Sequence, residues 1–99
     1  MTRNVEWSGD ALADFDTAID YLASDNPQAA YLVADRILRA VDLLADLPTG
    51  HQGRVKGTYE KLVQKTRFVV AYEMSERTIY ILRIIHGSRD WPEDGWPAE

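Results

Sequence analysis

The spacing of apolar residues changes once along this chain, at the Gly- and Pro-containing segment LPTGHQG (47–53). Before this segment, apolar residues recur every three or four positions, which is typical of amphipathic helices. After it, they alternate with polar residues or form short continuous runs, which is typical of strands. Because the helices are grouped together and most of the strands follow them, the chain is expected to fold as an α+β domain.

Two helices are predicted in the first half. Ser8 is a suitable N-cap for the first helix. Asn26 is expected to cap the second, with Pro27 at its first position, so that one segment ends one helix and begins the next. So short a link predicts a helical hairpin. The predicted apolar stripes are Leu12, Phe15, Ile19 and Leu22 on the first helix, and Ala30, Val33, Ile37, Val41 (or Ala40) and Leu44 on the second.

Four strands are predicted around this hairpin. NVEW (4–7) precedes the first helix, and GTYEKLVQK, RFVVAYEM and TIYILRIIH follow the break, the last two joined by the tight connection SER. The predicted order is β-α-α-β-β-β, with an N-terminal strand, the hairpin on one sheet face, and three antiparallel strands. We expect residues 1–99 to form a single domain that ends in a C-terminal tail, residues 87–99.

The last two strands are apolar on both faces. Simple alternation places Ile79, Ile81 and Ile85 on one face of the last strand, and Tyr80, Leu82 and Ile84 on the other. In the strand before it, Phe68, Val70 and Tyr72 lie opposite Val69 and Ala71. One hairpin covers only one face, so the tail or another polypeptide is expected to cover the other.

Charge is distributed unevenly within a net charge of −5. Residues 1–50 carry three arginines and nine acidic residues, whereas residues 51–89 carry eight lysines and arginines and three acidic residues. The acidic total disfavours nucleic-acid binding, but the basic second half leaves room for it. The absence of cysteine and of any long apolar segment leads us to expect a soluble, cytoplasmic protein with no membrane association.

The apolar last strand ends in a group of polar and aromatic residues, namely Arg83, His86, Arg89 and Trp91. In a functional interpretation they form a positive, partly aromatic, target-facing rim that holds phosphate, a base or an acidic partner. In the ordinary structural interpretation they make salt bridges, and Trp91 packs back on the core. Spacing alone leaves both open.

The other candidate residues give weaker signals. His86 is a possible general base, because an unperturbed imidazole titrates near pH ~6.5. His51 is most simply a solvated loop residue, and two histidines this far apart are no metal motif. The pairs Asp10/Asp14 and Asp16/Asp20 fit the solvated face of an amphipathic helix. No metal site and no cofactor are predicted.

Four segments in this order resemble the RelE/ParE superfamily of bacterial type II toxins: VEWSGDALADFDTAIDYLASDNPQAA, GTYEKLV, FVVAYE and ILRIIHGSRDWP. The resemblance runs from Val5 to Pro92. It implies the fold predicted above and a toxin neutralised by a cognate antitoxin, in a toxin–antitoxin hetero-oligomer. An extended antitoxin segment would supply the missing cover.

The superfamily contains two activities. RelE-like members cut mRNA on the ribosome, whereas ParE-like members act on DNA gyrase without nuclease chemistry. Aligned on GTYEKLV and FVVAYE, the positions that carry catalytic lysines and an arginine in the nucleases fall on Glu60, Leu62 and Val69, none of which stabilises a phosphorane.

The resemblance therefore predicts a ParE-like gyrase inhibitor that is not an enzyme. An mRNA endonuclease is the alternative, because Arg89 matches a nuclease arginine and His86 lies near a nuclease histidine. A non-toxic module that only binds antitoxin is a third hypothesis. Such a module would still bind antitoxin after the loss of Arg89 or of the tail.

Overall fold

The computed structural model describes residues 2–87. In chain order, its elements are β1 (Asn4–Trp7), α1 (Gly9–Asp25), α2 (Pro27–Asp46), β2 (His51–Gln52), β3 (Tyr59–Leu62), β4 (Phe68–Met74) and β5 (Thr78–His86). The α+β class, the helical hairpin and the four predicted strands are confirmed. The two-residue strand β2 is an addition, and it contains the exposed His51.

Side-chain caps define the helical hairpin. The Ser8 hydroxyl accepts a hydrogen bond from the Ala11 N–H at 2.9 Å and so caps α1. Asn26 ends α1 by donating its backbone N–H to the Leu22 carbonyl. Its side chain begins α2 by accepting from the N–H groups of the second and third helical residues, with Pro27 at the first position. The predicted caps are confirmed.

The sheet has the strand order β1-β5-β4-β3-β2. β1 pairs with β5 in parallel, and the other neighbouring strands are antiparallel. A parallel pair requires a crossover connection, and the chain passes through both helices and three further strands before β5. β5 is therefore central near its start, where β1 pairs with Thr78 to Ile81, and has no β1 partner beyond Ile81.

Both helices pack on the same face of the sheet. The core joins buried helix residues, Ala11, Ile37, Val41 and Leu44, to buried strand residues, Phe68, Val70, Tyr72, Ile79, Ile81 and Ile84. The α2 stripe is confirmed. The α1 stripe is confirmed in part: Phe15 and Leu22 pack against the core, but Ala11 is fully buried whereas the predicted Leu12 is 50% exposed. We call the sheet face opposite the helices the open face.

A β-bulge interrupts β5. Tyr72 pairs with Ile81 and Ala71 pairs with Arg83, so Leu82 is an extra residue on the β5 strand. An extra residue shifts the side-chain alternation of every residue that follows it. Simple alternation therefore fails along the second half of β5.

Two isoleucines change faces as a result. Ile84 lies opposite the core residue Val70, so it belongs to the helix-covered face, whereas Ile85 lies opposite Val69 on the open face. The prediction that placed Ile84 with Tyr80, and Ile85 with the earlier isoleucines, is wrong because of the bulge. The bulge thus places Ile84 in the core under the helices.

Tyr72 fixes the start of the β2 segment. Its side chain is fully buried, and its hydroxyl accepts a hydrogen bond from the Gly50 N–H at 3.1 Å. Burial raises the pKa of Tyr72 above its usual value near 10. A Cβ at Gly50 would lie 2.5 Å from the Tyr72 hydroxyl and 2.8 Å from the Glu60 carbonyl oxygen. Glycine is therefore required at this position by the close approach of β3 and β4.

Candidate functional site

The predicted rim is only partly described by the structure. Arg83 and His86 lie on the second half of β5, whereas Arg89 and Trp91 lie outside the described residues. The target-facing role of all four stays a prediction. Of the four, Arg83 and His86 have contacts that the structure defines.

Arg83 binds the carboxylate of Asp14 on α1. The Arg83 Nε and Nη2 atoms donate to the two Asp14 oxygens at 2.7 and 2.9 Å, and the two side chains are 21% and 18% exposed. One of these oxygens also accepts from the Ile84 N–H at 3.0 Å. The hydrogen bond with Asp14 raises the pKa of the Arg83 guanidinium.

Asp14 therefore ties α1 to the part of β5 that lies beyond the end of β1. Beyond Ile81, this edge of β5 has no β1 partner, and the Asp14 carboxylate accepts the hydrogen bond of the Ile84 N–H there. Asp14 was predicted to belong to a solvated helix face, and this is wrong for Asp14 alone. Asp14 lies on the inward side of α1 because it follows the buried Ala11 by three residues, about one helical turn.

His86 lies on the helix-covered face. It is opposite Phe68 in the sheet register, and the two rings meet edge to face with centroids 5.2 Å apart. His86 lines a groove of about 360 Å³ together with Asp14 and Thr17 of α1. We call this the α1 groove.

The three positions aligned with nuclease residues lie on the open face. Glu60, Leu62 and Val69 all line one shallow depression of about 490 Å³, together with Arg54 and Arg67. We call it the open-face depression; His51, Thr66 and Gly87 also border it.

Glu60 is the buried acid of this depression. It is 6% exposed, and its carboxylate accepts from the Arg54 backbone N–H at 2.7 Å. The sheet separates this depression from His86, so the imidazole and the three aligned positions do not converge on one point.

A second groove lies between the end of α2 and β3. Its volume is about 360 Å³, and it exposes Leu43, Leu47 and Leu62, which are 66%, 67% and 57% exposed. Three cations also line it, Arg36, Arg39 and Lys61, against the single acid Asp46. We call it the α2–β3 groove. Sequence analysis missed it, although Leu43 and Leu47 fall outside the buried α2 stripe and so signal an exposed apolar surface.

Neither a membrane-spanning helix nor a metal-binding cluster occurs within residues 2–87. In that range, no helix is long and apolar enough to cross a membrane. The same residues include no group of three or more histidine and acidic side chains arranged to bind a metal ion.

Comparison with known sequences gives the family. The sequence model described as ParE toxin of type II toxin-antitoxin system, parDE, matches residues 5–91. This chain belongs to the ParE toxin family. The resemblance found by sequence analysis is thus confirmed, and the chain is a toxin of a type II toxin–antitoxin system.

Two curated relatives are toxins, and one solved structure has the same fold. The putative toxin Y4kP of Sinorhizobium fredii is 35% identical over 92 residues, covering 92% of this chain and 95% of the relative. Toxin RelE2 of Caulobacter vibrioides is 35% identical over 86 residues, covering 86% and 96%. The chromosomal ParDE system of P. aeruginosa contains a chain with the same fold, with a TM-score of 0.78 at 22% identity, covering 86% of this chain and 96% of that one.

Proposed function

We propose that this ParE-family toxin inhibits DNA gyrase and is neutralised by a cognate antitoxin in a toxin–antitoxin hetero-oligomer. The observation that carries the first part is the composition of the open-face depression. Its three positions aligned with nuclease residues hold a buried carboxylate and two aliphatic side chains, Glu60, Leu62 and Val69.

These side chains are unsuited to RNA cleavage. Cleavage develops negative charge on a phosphorane and on a leaving oxygen, and a nuclease stabilises both with cations or hydrogen-bond donors. Leu62 and Val69 provide neither, and the charge of Glu60 has the wrong sign. His86, which the resemblance places near a nuclease histidine, lies on the other face of the sheet.

One observation favours an mRNA endonuclease as the second candidate. Arg54 and Arg67 line the same depression, and His51 borders it. Two guanidinium groups and an imidazole around a concave surface are able to hold an RNA backbone. If this toxin cleaves mRNA, these three residues on the open face, and not His86, are the ones to test.

The antitoxin is proposed to dock in the α2–β3 groove. The leucines at its rim suit the apolar face of an amphipathic segment, and its three cations suit acidic residues beside that face. A segment that binds there would cover Leu43 and Leu47, which are both about two-thirds exposed.

Purified components test the target directly. Toxin added to gyrase and relaxed plasmid is expected to reduce supercoiling by more than about tenfold at saturation, and added antitoxin should restore it. In a parallel reaction with ribosomes and mRNA, the mRNA should stay intact. Cleaved mRNA with unaffected supercoiling would establish the endonuclease instead, and an Arg54→Ala, Arg67→Ala variant should then lose it. No effect in either reaction would favour the non-toxic binding module.

A further inference from the structure

An apolar row crosses the open face. Ile85 of β5 lies opposite Val69 of β4, and Val69 lies opposite Leu62 of β3. The exposure of these side chains rises along the row: Ile85 is 6% exposed, Val69 is half-buried and Leu62 is 57% exposed. Along this row, burial is therefore greatest at β5, the strand from which the chain leaves the described region.

The two helices do not cover Ile85. Both helices pack on the other face, against the core residues Phe68, Val70 and Ile84. β1 pairs with β5 only as far as Ile81, so the side of β5 next to Ile85 has no β1 partner. Ile85 is only 6% exposed although it lies on the open face beside a strand edge, and a further segment lying over it would keep it out of water.

We infer that residues 88–99 of the C-terminal tail turn back after Gly87 and lie across the open face, with Trp91 over Ile85 and Val69 and the acidic residues toward Arg54 and Arg67. Gly87 borders the open-face depression, so the segment begins beside its site. This inference does not depend on the cellular target of the toxin.

The composition of the segment matches the surface. Residues 88–99 contain two tryptophans, and four acidic residues against one arginine. The indoles suit the apolar row, since a buried tryptophan removes a large apolar area from water. The carboxylates suit the exposed Arg54 and Arg67 at the far side of the depression. Glu60, the acid of the depression, already accepts from the Arg54 backbone N–H.

The segment is also long enough. An extended chain covers up to about 3.3 Å per residue, so Trp91 lies within roughly 13 Å of Gly87. Neighbouring strands are about 4.8 Å apart, so crossing from β5 to β2 requires only about 14 Å. The whole of residues 88–99 thus reaches every cation of the depression.

The alternative place for the segment is the α1 groove, which begins beside His86 on the other face. Its α1 wall contains Asp14, and the exposed surface of the same helix carries Asp10, Asp16 and Asp20. An acidic segment would meet like charge there. Charge therefore favours the open face.

Disulfide trapping distinguishes the two places, because the chain has no cysteine of its own. Full-length toxin carrying Pro92→Cys together with Leu62→Cys reports the open face. The matched control, Pro92→Cys with Thr17→Cys, reports the α1 groove. Leu62 and Thr17 are both exposed, so neither substitution disturbs the core. Toxin is separated from antitoxin, refolded, and oxidised at low concentration.

The open-face pair is expected to close intramolecularly at least about tenfold faster than the control pair, because docking raises its effective concentration. Adding Arg54→Glu and Arg67→Glu, or raising the salt to about 1 M, should reduce this advantage. Equal rates, a faster control pair, or no intramolecular disulfide in either variant would overturn the inference. Circular dichroism of each variant verifies that it is folded.

Discussion

Replacing Asp14 with alanine is expected to lower the free energy of unfolding by about 3 kcal/mol. The substitution leaves the half-buried Arg83 guanidinium without its carboxylate and the Ile84 N–H without its acceptor. Removing a carboxylate that bonds a largely buried cation and a backbone donor costs far more than losing an exposed ion pair. In a domain of this size, the melting temperature should fall by more than about 10 °C.

Asp35→Ala is the matched control for this prediction. It also removes a helix aspartate paired with an arginine, but the Asp35–Arg39 pair is largely exposed, with side chains 43% and 76% accessible. The expected loss is only about 0.3–0.5 kcal/mol. Denaturant unfolding of both variants provides the comparison. Equal losses would show that the Asp14–Arg83 pair does not anchor α1 to β5.

This contact bears on tests of the predicted rim. An Arg83→Ala variant should lose the α1–β5 contact as well as a cation at the strand end, because Arg83 bonds to Asp14 at two atoms. Any loss of toxicity in that variant therefore has to be compared with Asp14→Ala. Loss in Arg83→Ala alone would support a target-facing role.

Replacing Leu43 and Leu47 together with glutamine is expected to weaken antitoxin binding by about 100-fold or more. Both side chains are about two-thirds exposed in the toxin and line the α2–β3 groove. If the antitoxin segment covers them, each leucine contributes about 1.5–2 kcal/mol of apolar burial to the complex. A loss of about 3 kcal/mol corresponds to a factor of more than 100 in Kd.

The control double variant is Leu12→Gln with Leu32→Gln. These leucines are 50% and 46% exposed on α1 and α2, and neither lines the α2–β3 groove. Titration calorimetry should give wild-type affinity for this control. If both double variants bind antitoxin alike, the antitoxin does not dock in the α2–β3 groove.

Caps and long periodic segments were predictable from the sequence. The helical hairpin is placed by contacts between neighbours in the sequence: the caps Ser8 and Asn26, with Pro27, affect only backbone groups a few residues away. The α1 stripe was predicted only in part: Phe15 and Leu22 pack on the core, but Ala11, which is fully buried, gives a weaker hydrophobic signal than Leu12, which is half-exposed. Tertiary packing decided between two adjacent stripes of the same period.

Sheet details were less accessible. A bulge at Leu82 leaves no pattern in a strand that is apolar at nearly every position, so the faces of Ile84 and Ile85 could not be predicted. A two-residue strand such as β2 is too short to show an alternating pattern of apolar and polar residues. The parallel pairing of β1 with β5 follows only from the complete topology.

The site was predicted only in part. Arg83 and His86 were correctly placed near the end of the last strand, but His86 turns toward α1 and Arg83 binds Asp14. The Asp14–Arg83 contact joins residues 69 positions apart, and spacing along the chain says nothing about such a pair. Glu60, Leu62 and Val69 were singled out by resemblance, and the fold gathers them in one depression.

Pulse labelling in bacteria tests the central claim most directly. Toxin is induced without antitoxin, and incorporation into DNA and into protein is followed over the first minutes. Inhibition of gyrase predicts that DNA synthesis falls first while protein synthesis continues, and that coexpressed antitoxin prevents the fall. If protein synthesis falls first and DNA synthesis follows, the toxin acts on translation, and gyrase inhibition by this toxin is contradicted.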